Sequence, residues 1–327
     1  MGVCTACGNE HPFYNSCRNR HCPKCQALAQ EKWIEAQRAR MLDVPHFHVV
    51  FTLPAELRPL AAFARRRIFN MLFRVAASTL AAFARSRLSA TVGATLVLHT
   101  WTRKLEFHPH IHAIVTGGGL SKDGAKWNAA ERAFLFPVKA MSTVFRGKML
   151  SALRHAYHRG HFDAFQDFDD PEGFKRLACS IAKLRWHVYA KPSFEKAKYV
   201  LDYLGRYTHR VGIANSRLVS VTDSAVTFRT KAGKTTTVHP VELLGRFVQH
   251  VLPHGFHKLR HVGLYASPSL LTTARTRLGS PRQRRRQPIS WIERLRLLTG
   301  RDLSRCPRCG GPIVMRPLAR APPSETA

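Results

Sequence analysis

The chain has 327 residues, with 52 lysines and arginines against 20 aspartates and glutamates, a formal charge of +32 and a pI of about 11.0. That excess excludes a compact enzyme of small neutral substrates and points to a polyanion, nucleic acid first, because solubility alone needs a net charge of only about 2–8. No apolar run approaches the ~20 residues that cross a bilayer, and no basic-then-apolar leader opens the chain, so neither a membrane partner nor secretion is expected.

Residues 1–26 are rich in Cys, His, Asn and Arg and poor in apolar side chains, so they need a metal to fold. Cys4-x-x-Cys7 and Cys22-x-x-Cys25 stand fourteen residues apart, a spacing that lets two hairpins place four thiolates around one tetrahedral Zn²⁺. Gly8 and Pro23 suit the turns this requires. Cys17, His11 and His21 are further ligand candidates, and the knuckle would present Arg18, Arg20 and Lys24 to phosphate. Such pairs in a basic intracellular chain read as metal ligands rather than disulfides.

A helix is expected over 27–42, ended by Pro45, then a strand over 46–54. A long helical stretch over 56–89 follows. Ala94–Trp101 and Phe107–Val115 read as two further strands, the second broken by Gly117-Gly118-Gly119. Residues 129–165 read as mostly helical, 171–189 as helical or mixed, and Ser193–His209 as a helix. Arg217–Val221, Ala225–Lys231 and Thr235–Val238 form a small meander, with Ala232-Gly233 as a turn, before a helix over 241–251. Pro281–Pro288 is a charged linker that carries Arg284 and Arg285. Cys306-Pro-Arg-Cys309 near the end is half a metal site: either a distant residue completes it or it binds no metal. Strands mixed with long helices give an α+β fold.

Two stretches carry chemistry. On a strand, Glu106, His108, His110 and His112 face one way, and Phe107, Pro109, Ile111 and Ala113 face the other. The second set is a core face. The first is too polar to bury without a charge partner, and a divalent metal supplies one. His110 and His112 form the pair, with His108, Glu106 and His48 as candidates for a third ligand. The second stretch is Tyr199-Val-Leu-Asp-Tyr203-Leu-Gly-Arg-Tyr207. At about 100° per residue the three phenols lie on one flank of the apolar stripe, among Arg206 and Arg210. A neighbouring cation both lowers a phenol's pKa and binds the phosphate it would attack. Packing is the competing reading of tyrosines at this spacing.

Taken together, Asn15–Gln26, Val49–Pro54, His108-Pro-His-Ile-His-Ala-Ile-Val115, Tyr203-Leu-Gly-Arg-Tyr-Thr-His-Arg210 and Pro253–His261 resemble the rolling-circle insertion-sequence transposases. These belong to the HUH (His–hydrophobic–His) endonucleases. The resemblance implies a ferredoxin-like sheet with the histidines on a central strand, Phe51-Thr52-Leu53 on the strand beside it, and the tyrosine helix across it. It implies His110 and His112 as the pair holding Mg²⁺ or Mn²⁺, Tyr203 and Tyr207 as the nucleophiles, and Tyr199 outside the pair. The organisation expected is a zinc module and helix over 1–42, a catalytic domain over 45–250 and a basic region over 251–327. The family pattern carries a longer leader than this chain has before Cys4. The expected activity is nicking and rejoining of single-stranded DNA at transposon ends and target DNA through a 5′-phosphotyrosine, in a bacterial cytoplasm at the nucleoid. Competing readings are a plasmid replication initiator or relaxase with the same chemistry, a zinc-dependent DNA-binding protein without catalysis, and a zinc hydrolase. The last lacks a His-Glu-x-x-His helix and leaves the charge unexplained.

Overall fold

A computed structural model describes residues 1–13, 17, 19, 22, 27–131, 135–168, 170–194, 205, 212–280, 289–300 and 302–317. In chain order come β1 (Gly2–Cys4), β2 (Glu10–His11), α1 (Ala27–Arg40) and β3 (His46–Thr52). Helices α2 (Arg58–Phe63) and α3 (Arg65–Phe83) lead to β4 (Ala90–Trp101), β5 (Phe107–Ser121) and β6 (Trp127–Ala129). Then follow α4 (Val138–His158), α5 (Pro171–Lys183) and β7 (Val188–Phe194), and a meander of β8 (Leu218–Val221), β9 (Val226–Arg229) and β10 (Thr235–Val238). The chain continues through α6 (Pro240–Val248), β11 (Leu259–Gly263), α7 (Pro268–Arg277), α8 (Trp291–Thr299) and β12 (Ile313–Met315).

The main sheet is six-stranded and antiparallel, in the order β11-β4-β5-β3-β7, with β6 on β5. Two strand–helix–strand units, β3 to β4 and β5 to β7, interleave so that β5 lies between β3 and β4. This is the ferredoxin-like arrangement, extended at one edge by β11, and β5 is its central strand. The alternation read from the sequence decides what each face holds. Phe47, Val49 and Phe51 of β3, Leu96 and Leu98 of β4, and Ile111, Ala113 and Val115 of β5 point to one side. There they pack with Ile68, Leu72 and Phe69 of α3 and Met141, Phe145 and Met149 of α4. The segment Arg65–Leu88 is long and apolar enough on average to cross a membrane, and most of its apolar residues are buried in this core.

The opposite face is where His110 and His112 lie. Val97 and Ile114 on that face are covered by Trp33 of α1, Met41 just after that helix, and Leu259 of β11. Helix α1 is therefore a roof over one end of the histidine face.

Four expectations change. The strand containing the histidines does not stop at Gly117; β5 runs on to Ser121, pairing Gly119 with Val92 and Asn128. These glycines are places of close approach. A Cβ at Gly117 would lie 2.9 Å from the Pro45 carbonyl oxygen and one at Gly119 2.6 Å from that of Thr91. The helical stretch over 56–89 is divided at Ala64, where ψ turns to 45°. The helix expected from Ser193 overlaps the end of β7, and the rest of that expectation, Tyr199 included, lies outside the described residues except at Gly205, which is helical. Finally, residues 251–327 are not a region apart: β11 completes the edge of the main sheet and β12 pairs with β1. The meander is found where expected, with Ala232 and Gly233 at φ 55° and 76° in its turn.

Candidate functional site

The register of the sheet builds a histidine cluster. His110 stands opposite His99 of β4, and His112 opposite Val97 and Val50. Side chains of directly paired residues share a face. His99 thus joins the two histidines of β5, and the ring nitrogens of His99, His110 and His112 include one set lying within 4.8 Å of one another. The ring of His112 is 4.1 Å from that of His99 and 4.8 Å from that of His110. The sequence offered His108, Glu106 and His48 as third partners, and His99 was missed. Its only signal is the pairing of β4 with β5, which is not visible before the strands are in register.

His108 is drawn aside. An Arg58 guanidinium nitrogen donates to its Nδ1 at 2.9 Å, and its ring lies 5.2 Å from that of His110. Glu106 accepts from Thr102 Oγ1 at 3.1 Å, outside the cluster. His48 stands behind the cluster, with its Nε2 2.7 Å from His112 Nδ1.

These contacts prepare the nitrogens as ligands. His110 Nδ1 donates to the His108 carbonyl oxygen at 2.6 Å, which fixes the tautomer that leaves Nε2 a lone pair. His48 holds His112 at Nδ1 in the same way, directing Nε2 outward when Nδ1 carries the proton. Burial holds His110 down to about 4 and His99 and His112 well below the ordinary imidazole value. All three are neutral at pH 7 and keep their lone pairs. Three neutral imidazoles on a rigid sheet fit a divalent cation with coordination positions to spare.

The cluster opens into a cavity of about 730 Å³. Its walls include His99, His110 and His112, Gln30 of α1, Arg103, Arg217 and, from the far C-terminal part of the chain, Leu298 of α8. Gly212, which follows the tyrosine stretch, also lines it. Gly205, between Tyr203 and Tyr207, packs on α1: a Cβ there would lie 2.6 Å from Ile34 Cδ1 and 3.4 Å from Gln30 Cγ. The same glutamine thus touches the tyrosine stretch and lines the histidine cavity. Tyr203, Tyr207, Arg206, Arg210, Arg18, Arg20, Arg284 and Arg285 lie outside the described residues. On the other side of the sheet a cavity of about 1080 Å³ is lined by Arg65, Arg66, Arg67, Arg74 and Arg260, a concentration of cations that the sequence reading did not single out.

A second cluster joins the two ends of the chain. Cys4 and Cys7 meet Cys306 and Cys309, with all four sulfurs within 4.8 Å of one another. The spacing argument paired Cys4 and Cys7 with Cys22 and Cys25. Cys22 and Cys17 are described and are not in this group, and Cys25 lies outside the described residues. The reason is the strand pairing of β1 with β12, which sets Cys4 opposite Ile313 and brings the distant half-site to the first. His11 Nε2 lies 3.7 Å from Cys306 Sγ, and that contact, before any other, holds the Cys306 thiol down to about 5.

Comparison with known proteins places the chain among transposases. A family model described as "Putative transposase" matches residues 93–270, which contain all three histidines of the first cluster. A second, described as "Transposase zinc-binding domain" and of the IS91 type, matches residues 1–53. The "Putative transposase y4qJ" of Sinorhizobium fredii is 41% identical over 324 residues, covering 94% of this chain and 81% of that protein. The "Transposase for insertion sequence element IS801" of Pseudomonas savastanoi pv. phaseolicola is 33% identical over 278 residues, covering 80% of this chain and 65% of that protein. No solved structure matches.

Proposed function

The chain belongs to the IS91-type transposase family, and from that premise we propose that it nicks and rejoins single-stranded DNA at transposon ends, and at target DNA, through a 5′-phosphotyrosine. Family membership gives DNA as the partner and a zinc-binding module at the N-terminus. The finer reading rests on one observation: the cavity walled by His99, His110 and His112 is also walled by Gln30, which with Ile34 forms the surface of α1 that Gly205 of the tyrosine stretch packs on.

His110 and His112 are the pair that would hold Mg²⁺ or Mn²⁺, and His99 takes the third place in preference to His108. When bound there, the cation supplies Lewis-acid polarisation of the scissile phosphate. The chain's own groups do the rest. Tyr203 or Tyr207 attacks phosphorus in line, the bond from phenolic oxygen to phosphorus forms, and the bond from phosphorus to the 3′ oxygen breaks. The phenol loses its proton as the departing 3′ oxygen gains one. One phosphodiester is exchanged for another, so rejoining by the reverse attack needs no ATP. The second tyrosine can attack a second junction while the first is loaded. Arg206 and Arg210, beside the phenols in sequence, would bear the phosphate's charge, and Arg284 and Arg285 with Arg18 and Arg20 would hold the strand. The reaction belongs at the bacterial nucleoid.

The test is incubation of the protein and Mn²⁺ with a labelled single-stranded oligonucleotide spanning a candidate element end, read on a denaturing gel. A protein–DNA adduct is expected from the wild type and none from the Tyr203→Phe/Tyr207→Phe double variant. Adducts that survive both changes contradict the assignment.

A further inference from the structure

We propose that Cys4, Cys7, Cys306 and Cys309 bind one zinc ion, so that the metal clasps the two ends of the chain into a single ribbon. The sulfur geometry carries the idea. Cys4 Sγ lies 3.5 Å from Cys309 Sγ and Cys7 Sγ 3.8 Å from Cys306 Sγ. Four thiolates at 2.3 Å from a tetrahedral zinc stand about 3.8 Å apart. A disulfide would need about 2.05 Å, and all four cysteines are free.

The backbone is built twice to the same plan. In each half, a Cys-x-x-Cys is followed by a glycine at positive φ, Gly8 at 72° and Gly310 at 73°. The glycine N–H donates to the carbonyl of the first cysteine, Gly8 to Cys4 at 3.0 Å and Gly310 to Cys306 at 2.8 Å. Each first cysteine also closes its turn from outside: the Cys4 N–H reaches Asn9 O at 3.0 Å, and the Cys306 N–H reaches Gly311 O at 2.8 Å. The Gly311 N–H points at Cys309 Sγ at 3.4 Å, the arrangement that stabilises a thiolate. The two knuckles face each other because β12, β1 and β2 form one three-stranded antiparallel sheet. There is no room to spare around the sulfurs: a Cβ on Gly311 would come within 3.2 Å of Cys4 Sγ and 3.3 Å of Cys309 Sγ. Few apolar side chains support this sheet, and Val314 and Met315 are exposed, so a metal is the natural source of its stability.

The clasp reaches the histidine cavity through α8. The Ile313 N–H donates to Ser304 O at 2.9 Å, Arg294 pairs with Glu35 of α1 at 2.9 Å, and Leu298 stands in the cavity wall. Loss of the metal would loosen α8 as well as the ribbon.

Zinc-loaded full-length wild type, pulse-alkylated and mapped by mass spectrometry with and without a chelator, tests the ligand set without any substitution. Cys4, Cys7, Cys306 and Cys309 should be protected together and become reactive together, while exposed Cys179 labels throughout. Labelling of Cys306 and Cys309 at the rate of Cys179 in the zinc-loaded protein overturns the proposal. Cobalt-loaded variants give a second reading. Cys306→Ser/Cys309→Ser should remove the same single equivalent of metal and the same thiolate charge-transfer band as Cys4→Ser/Cys7→Ser, and the quadruple variant no more than either pair. Additive losses, showing two separate sites, also overturn it. Hydrogen exchange should rise on chelation in α8 and β12; unchanged exchange in β12 counts against the clasp.

Discussion

The histidine cluster and the cysteine cluster both gather metal-ligating side chains, and they are built in opposite ways. The histidines sit on adjacent strands of a sheet whose other face is the main hydrophobic core. Phe51, Ile111 and Leu98 hold that sheet from behind, so the three imidazoles are positioned by packing whether or not a cation is present. The cysteines come from the two extremities of the chain, on a small sheet with little core of its own. There the ligands hold the fold as much as the fold holds the ligands. A catalytic site gains from the first construction, which leaves coordination positions open; a structural site is served by the second, which fills all four.

The difference can be broken or sharpened by experiment. The largest effect is expected at the histidines. His110→Ala or His112→Ala should lower nicking by about 10²–10³-fold while leaving oligonucleotide binding and the unfolding transition near wild type, because the core face is untouched. Cleavage kinetics beside a binding titration check this, and a parallel loss of binding would place the histidines in DNA recognition instead.

Acid should separate the two constructions next. His46, His48, His110 and His261 are each held down to about 4 in the folded chain, by burial first. An unfolded histidine takes its proton near pH 6.5. Below that pH the unfolded state binds protons that the folded state refuses, so stability is full above about 6.5 and falls progressively down to about 4. Denaturant midpoints between pH 7.5 and 4.5 should decline through this window, with the main sheet's signal falling. A flat profile would mean the imidazoles charge in the folded state.

A smaller effect is expected at Gly205. A methyl group there meets the buried Ile34, and overpacking of this kind costs about 1–3 kcal/mol. Gly205→Ala should therefore slow nicking more than it weakens DNA binding, since it shifts the tyrosine stretch against α1. Smallest of all is Arg294→Ala. Its ion pair with Glu35 is partly exposed and contributes about 0–1 kcal/mol, so the variant should raise hydrogen exchange in α8 and leave the melting of the sheet unchanged.

The same contrast explains what the sequence disclosed. The histidine strand was readable because its signal is local: alternation over a few residues sets Ile111 in the core and His110 and His112 on the other face, as found. The ferredoxin-like sheet followed from a resemblance carried by short motifs, and the register bears it out. His99 left no such trace, because its place depends on which β4 residue stands opposite His110. Gly117, Gly118 and Gly119 misled, since glycine marks a break and a close backbone approach alike; only the positions of Pro45, Trp127 and Thr91 tell which. Cys306 and Cys309 were recognisable as half a site and no more. Their partners lie at the opposite end of the chain, and nothing in local spacing reports a pairing at that range, whereas Cys22 and Cys25 offered a nearer one.

The central claim is that a phenol of the Tyr203–Tyr207 stretch and the imidazoles of His110 and His112 act on one phosphate. Its most direct test is to trap the adduct on single-stranded DNA in Mn²⁺, digest it with protease and nuclease, and sequence the peptide that keeps a nucleotide. The account predicts a 5′-linked nucleotide on Tyr203 or Tyr207, absent from the His110→Ala/His112→Ala protein. A nucleotide on any other residue, or cleavage by the wild type with no linked peptide at all, would contradict it.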